Sequence, residues 1–163
     1  MGVNKMSEKE MGLTHRIELP TVKLHFVVGI DPGTKTGFAV YCKRTKILMG
    51  VETVKVHQAF NAISNIKRIA DKDGHKIFVR VEDARKRKWF GPGSNAKQQG
   101  AGAIKIQCKQ WEEFLRTEGI SFEMVAPAKI QTKVDAKKFK MITGWPGRTS
   151  NHARDAAMMV YGL

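Results

Sequence analysis

The stretch Phe26-Val27-Val28-Gly29-Ile30-Asp31-Pro32-Gly33-Thr34-Lys35-Thr36-Gly37 joins an unbroken apolar run to an acid and a turn. Nothing polar interrupts Phe26 to Ile30, the pattern of a strand buried on both faces. Asp31 ends the run, and Pro32 to Gly37 supply turn chemistry. Phe38-Ala39-Val40-Tyr41 resumes as a second strand, so the two form a hairpin. A strand covered on both faces calls for helices above and below it, a layered α/β domain.

The elements that follow fit such layers. A third strand is predicted over Lys46 to Val54. From His57 to Ala70, Phe60, Ile63, Ile66, Ile69 and Ala70 fall at helical spacing, and Lys72-Asp73-Gly74 ends that helix. Ile77 to Val81 is a second buried strand running into Glu82 and Asp83. A long helix is expected from Ala96 to Thr117, with Ile104, Cys108, Trp111 and Leu115 on one stripe. Ser121 to Val125 reads as the last strand. Residues 126–148 are irregular, basic and partly helical. The final helix spans Asn151 to Tyr161, with Ser150 or Asn151 as its cap. The order is three strands, helix, strand, helix, strand, helix. The ordered domain is expected over residues 23–163, preceded by a flexible arm over residues 1–22.

Lys and Arg outnumber Asp and Glu by 29 to 15, for a formal net charge of +14. Such a balance favours a polyanionic partner, nucleic acid first. A membrane partner is not expected, because no apolar stretch approaches the length of a bilayer span. Cys42 and Cys108 have no metal-type spacing and read as reduced thiols of a cytoplasmic protein. Met1 to Glu10 lack the basic-then-apolar order of a signal peptide.

Three acids stand at the ends of buried elements: Asp31 after the first strand, Glu82 after the fourth, and Asp155 in the first turns of the last helix. If the first and fourth strands are neighbours, Asp31 and Glu82 project side by side. A helix packed across that edge then brings Asp155 to the same point. Clustered carboxylates repel unless something compensates them. Hard divalent cations do so, and a pair of them can activate water and stabilise a leaving oxygen in phosphodiester cleavage. His152 lies on the same helix face as Asp155, placed to ligate a metal or polarise water. Singly, each acid has an ordinary explanation: a turn former, a solvated strand end, a helix-dipole partner. Asp83 is expected to point away from Glu82, because successive strand side chains face opposite ways.

These segments resemble the motifs of RuvC-type Holliday junction resolvases. Gly29-Ile30-Asp31-Pro32-Gly33-Thr34 with Thr36-Gly37 is similar to the first motif, and Val81-Glu82 to the second. Gln98-Gln99-Gly100-Ala101-Gly102-Ala103 resembles the small-residue start of the family's long helix. Ala126-Pro127 followed by lysines resembles the segment before the last motif, and His152-Ala153-Arg154-Asp155-Ala156-Ala157 the closing motif. The resemblance runs from Val27 to Leu163. It implies an RNase H-like mixed five-stranded sheet flanked by helices, and a homodimer. It implies two Mg2+ ions per site, with Mn2+ as a substitute, and paired nicks across a four-way DNA junction in recombination and repair. It casts Asp31, Glu82, His152 and Asp155 as the metal-binding catalytic set. The setting it implies is the cytoplasm, of a bacterial cell or of a host in which a phage-encoded copy acts.

Two basic segments complete the expected DNA interface. Arg85-Lys86-Arg87-Lys88 sit beside Trp89-Phe90, cations for phosphates next to rings that stack on unpaired bases. Lys129, Lys133, Lys137, Lys138 and Lys140 form the second, with Lys133 or Lys137 favoured to assist at the reacting phosphate. Gly100 and Gly102 weaken a helix interior unless another backbone approaches closely there, either a second copy or the sheet. An actin-like ATP-binding domain also opens on strand, Asp, Gly and Thr, but needs a second domain for which this chain is too short. A non-catalytic branched-DNA-binding module needs no acid cluster. An RNase H-like nuclease of another specificity shares every feature but the substrate.

Overall fold

The computed structural model describes residues 4–5, 18–19, 26–86, 95–129 and 133–163. Within the expected N-terminal arm, Asn4 pairs antiparallel with Leu19 and Lys5 with Glu18, in a ladder separate from the main sheet.

The main sheet has β1 (Phe26–Asp31), β2 (Thr36–Cys42), β3 (Ile47–Val54), β4 (Ile77–Glu82) and β5 (Ser121–Val125). Their spatial order is β3-β2-β1-β4-β5. The hairpins β1–β2 and β2–β3 are antiparallel, while β4 runs parallel to β1 and β5 to β4. Parallel neighbours require a crossover, supplied by α1 (Val56–Lys72) and α2 (Asn95–Thr117). The remaining helices are α3 (Ala136–Thr143) and α4 (Asn151–Met158). This is the RNase H-like mixed α/β arrangement expected from the motifs.

Strand alternation divides the core in two. Phe26, Val28 and Ile30 of β1 share one face with Phe38, Val40, Val79 and Val81, and pack on α1 and α2. The α1 residues that meet them are Ala59, Ala62, Ile63, Ile66 and Ile69, the face its spacing predicts. From α2, Trp111 and Leu115 are fully buried, and the Trp111 ring lies 4.4 Å from that of Phe60 on α1. On the opposite face Val27, Ala39 and Tyr41 meet Phe139 of α3 and Ala153, Ala156 and Ala157 of α4. The end of β2 extends back to Thr36 because Gly37 pairs with Asp31.

The helical part of the basic segment after β5 is α3, which is capped at both ends. Asp135 Oδ1 accepts from the Lys138 amide at 2.8 Å, and Gly144, at φ 70°, ends α3 in the left-handed conformation glycine tolerates. Between those caps only Phe139 is buried. The last helix ends at Met158, short of the expected Tyr161.

Candidate active site

Register sets the first two acids side by side. Ile30 pairs with Val81 across the parallel β1–β4 ladder, and Asp31 and Glu82 are the next residues of each strand. Both are buried, each 9% exposed. Alternation puts them on the face that α4 covers. On that face Gly29 lies against α4, and Arg80 Nη1 donates to the Met159 carbonyl at 2.6 Å.

The approach of α4 is close because the sheet presents glycine at two points beneath it. A Cβ at Gly29 would fall 2.1 Å from the Ala156 carbonyl oxygen, and one at Gly37 would fall 1.9 Å from that of His152. Glycine at both positions, with Ala39, Ala153 and Ala156 around them, lets backbone meet backbone. The start of α4 is pinned laterally as well. Ser150 Oγ accepts from the Ala153 amide at 3.1 Å as N-cap and contacts the Thr53 hydroxyl of β3.

Docked this way, α4 delivers His152 and Asp155 toward the strand ends. His152 Nδ1 lies 2.7 Å from Asp31 Oδ2, a charge-assisted contact when the imidazole is protonated. Asp155 is half-buried, and its Oδ1 accepts from the Lys133 amide at 3.3 Å. The side chains are thus engaged in separate contacts. Among the described residues no three His, Cys, Asp or Glu groups are gathered closely enough to share one ion. The donor chemistry nevertheless suits a hard divalent cation: three carboxylates and one imidazole, with the nearby Cys108 thiol donating to the Glu82 carbonyl at 3.6 Å. Burial pushes the Cys108 thiol pKa up, which keeps it protonated and a poor metal ligand.

Asp83 turns to the other side, as alternation requires. It is 1% exposed and holds Arg85, Nε to Oδ1 at 2.7 Å and Nη2 to Oδ2 at 2.9 Å. Burial pushes the Asp83 carboxyl up, but the hydrogen bonds and charge of Arg85 outweigh this and hold it below the usual carboxylate range. Arg85 Nη1 also reaches Glu112 Oε2 of α2 at 2.8 Å, and Lys86 Nζ donates to the Met124 carbonyl at 2.6 Å.

This changes the reading of the first basic segment. Arg85 is paired with Asp83 and Glu112 at the root of the loop, whereas Lys86 is exposed, with Asp83 Oδ2 3.9 Å from its ammonium. Arg87, Lys88, Trp89 and Phe90 lie outside the described residues. In the second segment, Lys129, Lys133 and Lys137 are exposed, as are Lys138 and Lys140. Lys133 adopts φ 68°, unusual for a residue with a side chain, and only its amide is seen to touch the acid group. Lys137 lies on α3, on the stretch where Lys138 and Lys140 are also exposed.

Arg154 was missed by reading the sequence. It is 7% exposed, its donors directed to the carbonyls of Val134 and Thr149 and to the side chains of Thr149 and Asn151. The only signal in the sequence was a lone cation within the alanine-rich last helix.

No family model and no curated relative matches the chain. Among solved structures it is similar to RuvC of Thermus thermophilus in complex with a Holliday junction substrate. That similarity has 17% identity, 83% of this chain and 90% of that chain covered, and a TM-score of 0.49. A second Thermus thermophilus RuvC structure matches at 17% identity over 82% of this chain and 91% of that one, with a TM-score of 0.42.

Proposed function

We propose that this chain is a divalent-metal-dependent endonuclease that nicks branched DNA of the four-way junction type. The observation that carries the proposal is the pair Asp31 and Glu82, buried side by side at adjacent parallel strand ends under the helix that bears His152 and Asp155. Burying two carboxylates together is costly unless a counter-charge joins them. Asp31, Glu82, His152 and Asp155 would hold Mg2+ or Mn2+, two ions in all. Such ions supply an activated water and neutralise the leaving oxygen.

The chain's own residues do the rest. Asp31 and Glu82, fixed on rigid strands, set where the scissile phosphate must sit. His152, against Asp31, is placed to hold or release a proton at Nδ1. The exposed lysines of 129–140 face the DNA backbone, and Lys133, whose backbone already touches Asp155, is the one we assign to the reacting phosphate. Preference for branched over plain duplex DNA rests on the motif resemblance. Paired nicks need two sites related by a two-fold axis, hence a homodimer. The outer side of α2 suits such an interface: among the described residues nothing lies within 4 Å of a Cβ built at Gly102, and Ile106 is 62% exposed. Both cysteines are buried and unpaired, in keeping with the cytoplasmic setting we assign. Among the described residues no helix is long and apolar enough to cross a membrane.

The test is a set of labelled substrates, four-way junction, plain duplex and RNA–DNA hybrid, each with and without Mg2+ or Mn2+. Junctions should be nicked only with metal, and Asp31→Asn should bind them undiminished without cutting. Cutting of hybrid with junctions left intact overturns the substrate. Binding of junctions without cutting under either metal leaves a DNA-binding module in place of an enzyme.

A further inference from the structure

We infer that Arg154 is a positioning residue that sets the orientation of Asp155 by holding the 133–134 segment against it; this rests on the proposed nuclease reading for its consequence, though not for its geometry. A guanidinium has five donors and no acceptor, and when buried it must find oxygen for them. Arg154 is buried, and the hydrogen bonds it makes among the described residues go to neutral oxygens. Nε donates to the Val134 carbonyl at 2.8 Å, and Nη1 to the Thr149 carbonyl at 2.7 Å and to its Oγ1 at 3.1 Å. Nη2 donates to Asn151 Oδ1. Neutral acceptors compensate a buried charge less well than a carboxylate would, so the arrangement serves geometry more than stability.

The geometry is a closed ring. Arg154 grips the Val134 carbonyl. The preceding residue, Lys133, is turned into the left-handed region at φ 68°. The Lys133 amide donates to Asp155 Oδ1, 3.3 Å away, and Asp155 adjoins Arg154 on α4. The contact is long for a hydrogen bond to a carboxylate, so it depends on how well the 133–134 segment is held. The same guanidinium ties Thr149 and Asn151, which flank the cap of α4. One side chain thus fixes both the helix that carries Asp155 and the segment that orients it.

The experiment compares wild type, Arg154→Lys, Asn151→Ala and Tyr161→Phe. Lysine keeps the charge but not the fork. Asn151→Ala removes one acceptor and is the milder variant should Arg154→Lys fold poorly. Tyr161→Phe loses a 3.0 Å bond to the Ile142 carbonyl on α3 and controls for general loosening of this face. Amide hydrogen exchange at Lys133 is the direct readout. Arg154→Lys should speed it about tenfold, Asn151→Ala less, and Tyr161→Phe not at all. Single-turnover junction cleavage in Mn2+ should fall roughly 10–100-fold in Arg154→Lys, with junction affinity held within about twofold of wild type. Unchanged Lys133 exchange in Arg154→Lys overturns the inference whatever the protein does to DNA. Faster exchange with wild-type cleavage also overturns it, since the orientation would not matter to the reaction. Equal loss of cleavage in Tyr161→Phe does so too, by making the effect one of stability. If wild type itself leaves junctions uncut, the nuclease reading falls, while Lys133 exchange still decides whether Arg154 holds the segment.

Discussion

Gly37→Ala would place a methyl carbon 1.9 Å from the His152 carbonyl oxygen, 2.4 Å from its carbon and 3.1 Å from Asp31 Cβ. Carbon–oxygen contacts settle at roughly 3.3–3.6 Å, so β2 and α4 must separate by about 1.5 Å. Neither yields easily. β2 is hydrogen-bonded on both sides, to β1 and to β3, and the start of α4 is held by Thr53, Asp31 and the Arg154 contacts. If α4 lifts, the 2.7 Å His152–Asp31 contact opens to about 4.2 Å, beyond hydrogen-bond reach. Overpacking costs about 1–3 kcal/mol, and because the obstacle here is backbone we expect about 3 kcal/mol. For a domain of this size each kcal/mol moves Tm by roughly 2–4 °C, so the variant should melt about 6–12 °C below wild type. Thermal melts followed by far-ultraviolet circular dichroism measure this, and junction cleavage should fall with them even well below the new Tm. Gly29→Ala, 2.1 Å from the Ala156 carbonyl oxygen, should behave alike. A Gly37→Ala protein that melts within about 2 °C of wild type and still cuts would refute the close docking of α4 on which the site depends.

Gly102→Ala meets no described atom within 4 Å, so within one chain it should stabilise α2 by about 1 kcal/mol. If α2 faces a second copy there, light scattering on dilution should show the mass falling toward the 18.3 kDa monomer, and an undisturbed dimer would remove this face from the interface. Lys133→Gly deletes a side chain at φ 68°, where glycine is at ease, so stability should hold or rise by about 1 kcal/mol. Cleavage should nonetheless drop on the order of 100-fold, and retained cleavage would move the assisting role off Lys133. Asp83→Asn should cost about 2 kcal/mol at neutral pH, less than a fully buried pair because Arg85 keeps Glu112. Since the Asp83 carboxyl is held below its ordinary value, its contribution is present above that value and lost as pH falls through the lower, folded one. Urea titrations should therefore show the gap between wild type and variant closing below about pH 4, and a gap independent of pH would contradict the Asp83–Arg85 assignment.

Much of this was legible because the chemistry sits at element ends. The unbroken run Phe26 to Ile30 fixed a strand covered on both faces, and the acid after it had to lie at its carboxyl end. The placing of Asp31 beside Glu82 needed β4 to lie parallel next to β1; the helical crossover from β3 sets the direction of β4, while its neighbour was a condition that only the structure supplies. The docking of α4 was written in Gly29 and Gly37, although their role as contact points, as distinct from turn residues, appears only when the helix lies on them. Other features depended on partners far away in sequence. The sum of charges in Arg85 to Lys88 pointed to solvent and phosphate. Glu112, on the far helix α2, and the inward-turned Asp83 claim Arg85 instead. The short α3 carried both caps, Asp135 and Gly144, but only Phe139 buried on it, so hydrophobic period was too weak to announce a helix. The burial of Arg154 had no periodic signal, because a charge on the apolar stripe of a helix is usually read as its edge.

Where the acids lie sharpens what the net charge of +14 means. Asp31, Glu52, Glu82 and Asp83 are all buried, and among the described basic residues only Arg154 is. Withdrawing four acids from the surface and one base leaves the exterior more positive than the composition implies. A polyanion is therefore attracted over much of the molecule, while the strand ends that carry the buried Asp31 and Glu82 are locally negative. A phosphate can settle there only if cations arrive with it or ahead of it. On the proposed function, affinity should then be separable from cleavage, with Lys133 alone contributing to both. Neutralising Asp31 or Glu82 should remove a repulsion and leave DNA binding intact or tighter, whereas neutralising Lys129, Lys133 or Lys137 should weaken binding and flatten its dependence on salt.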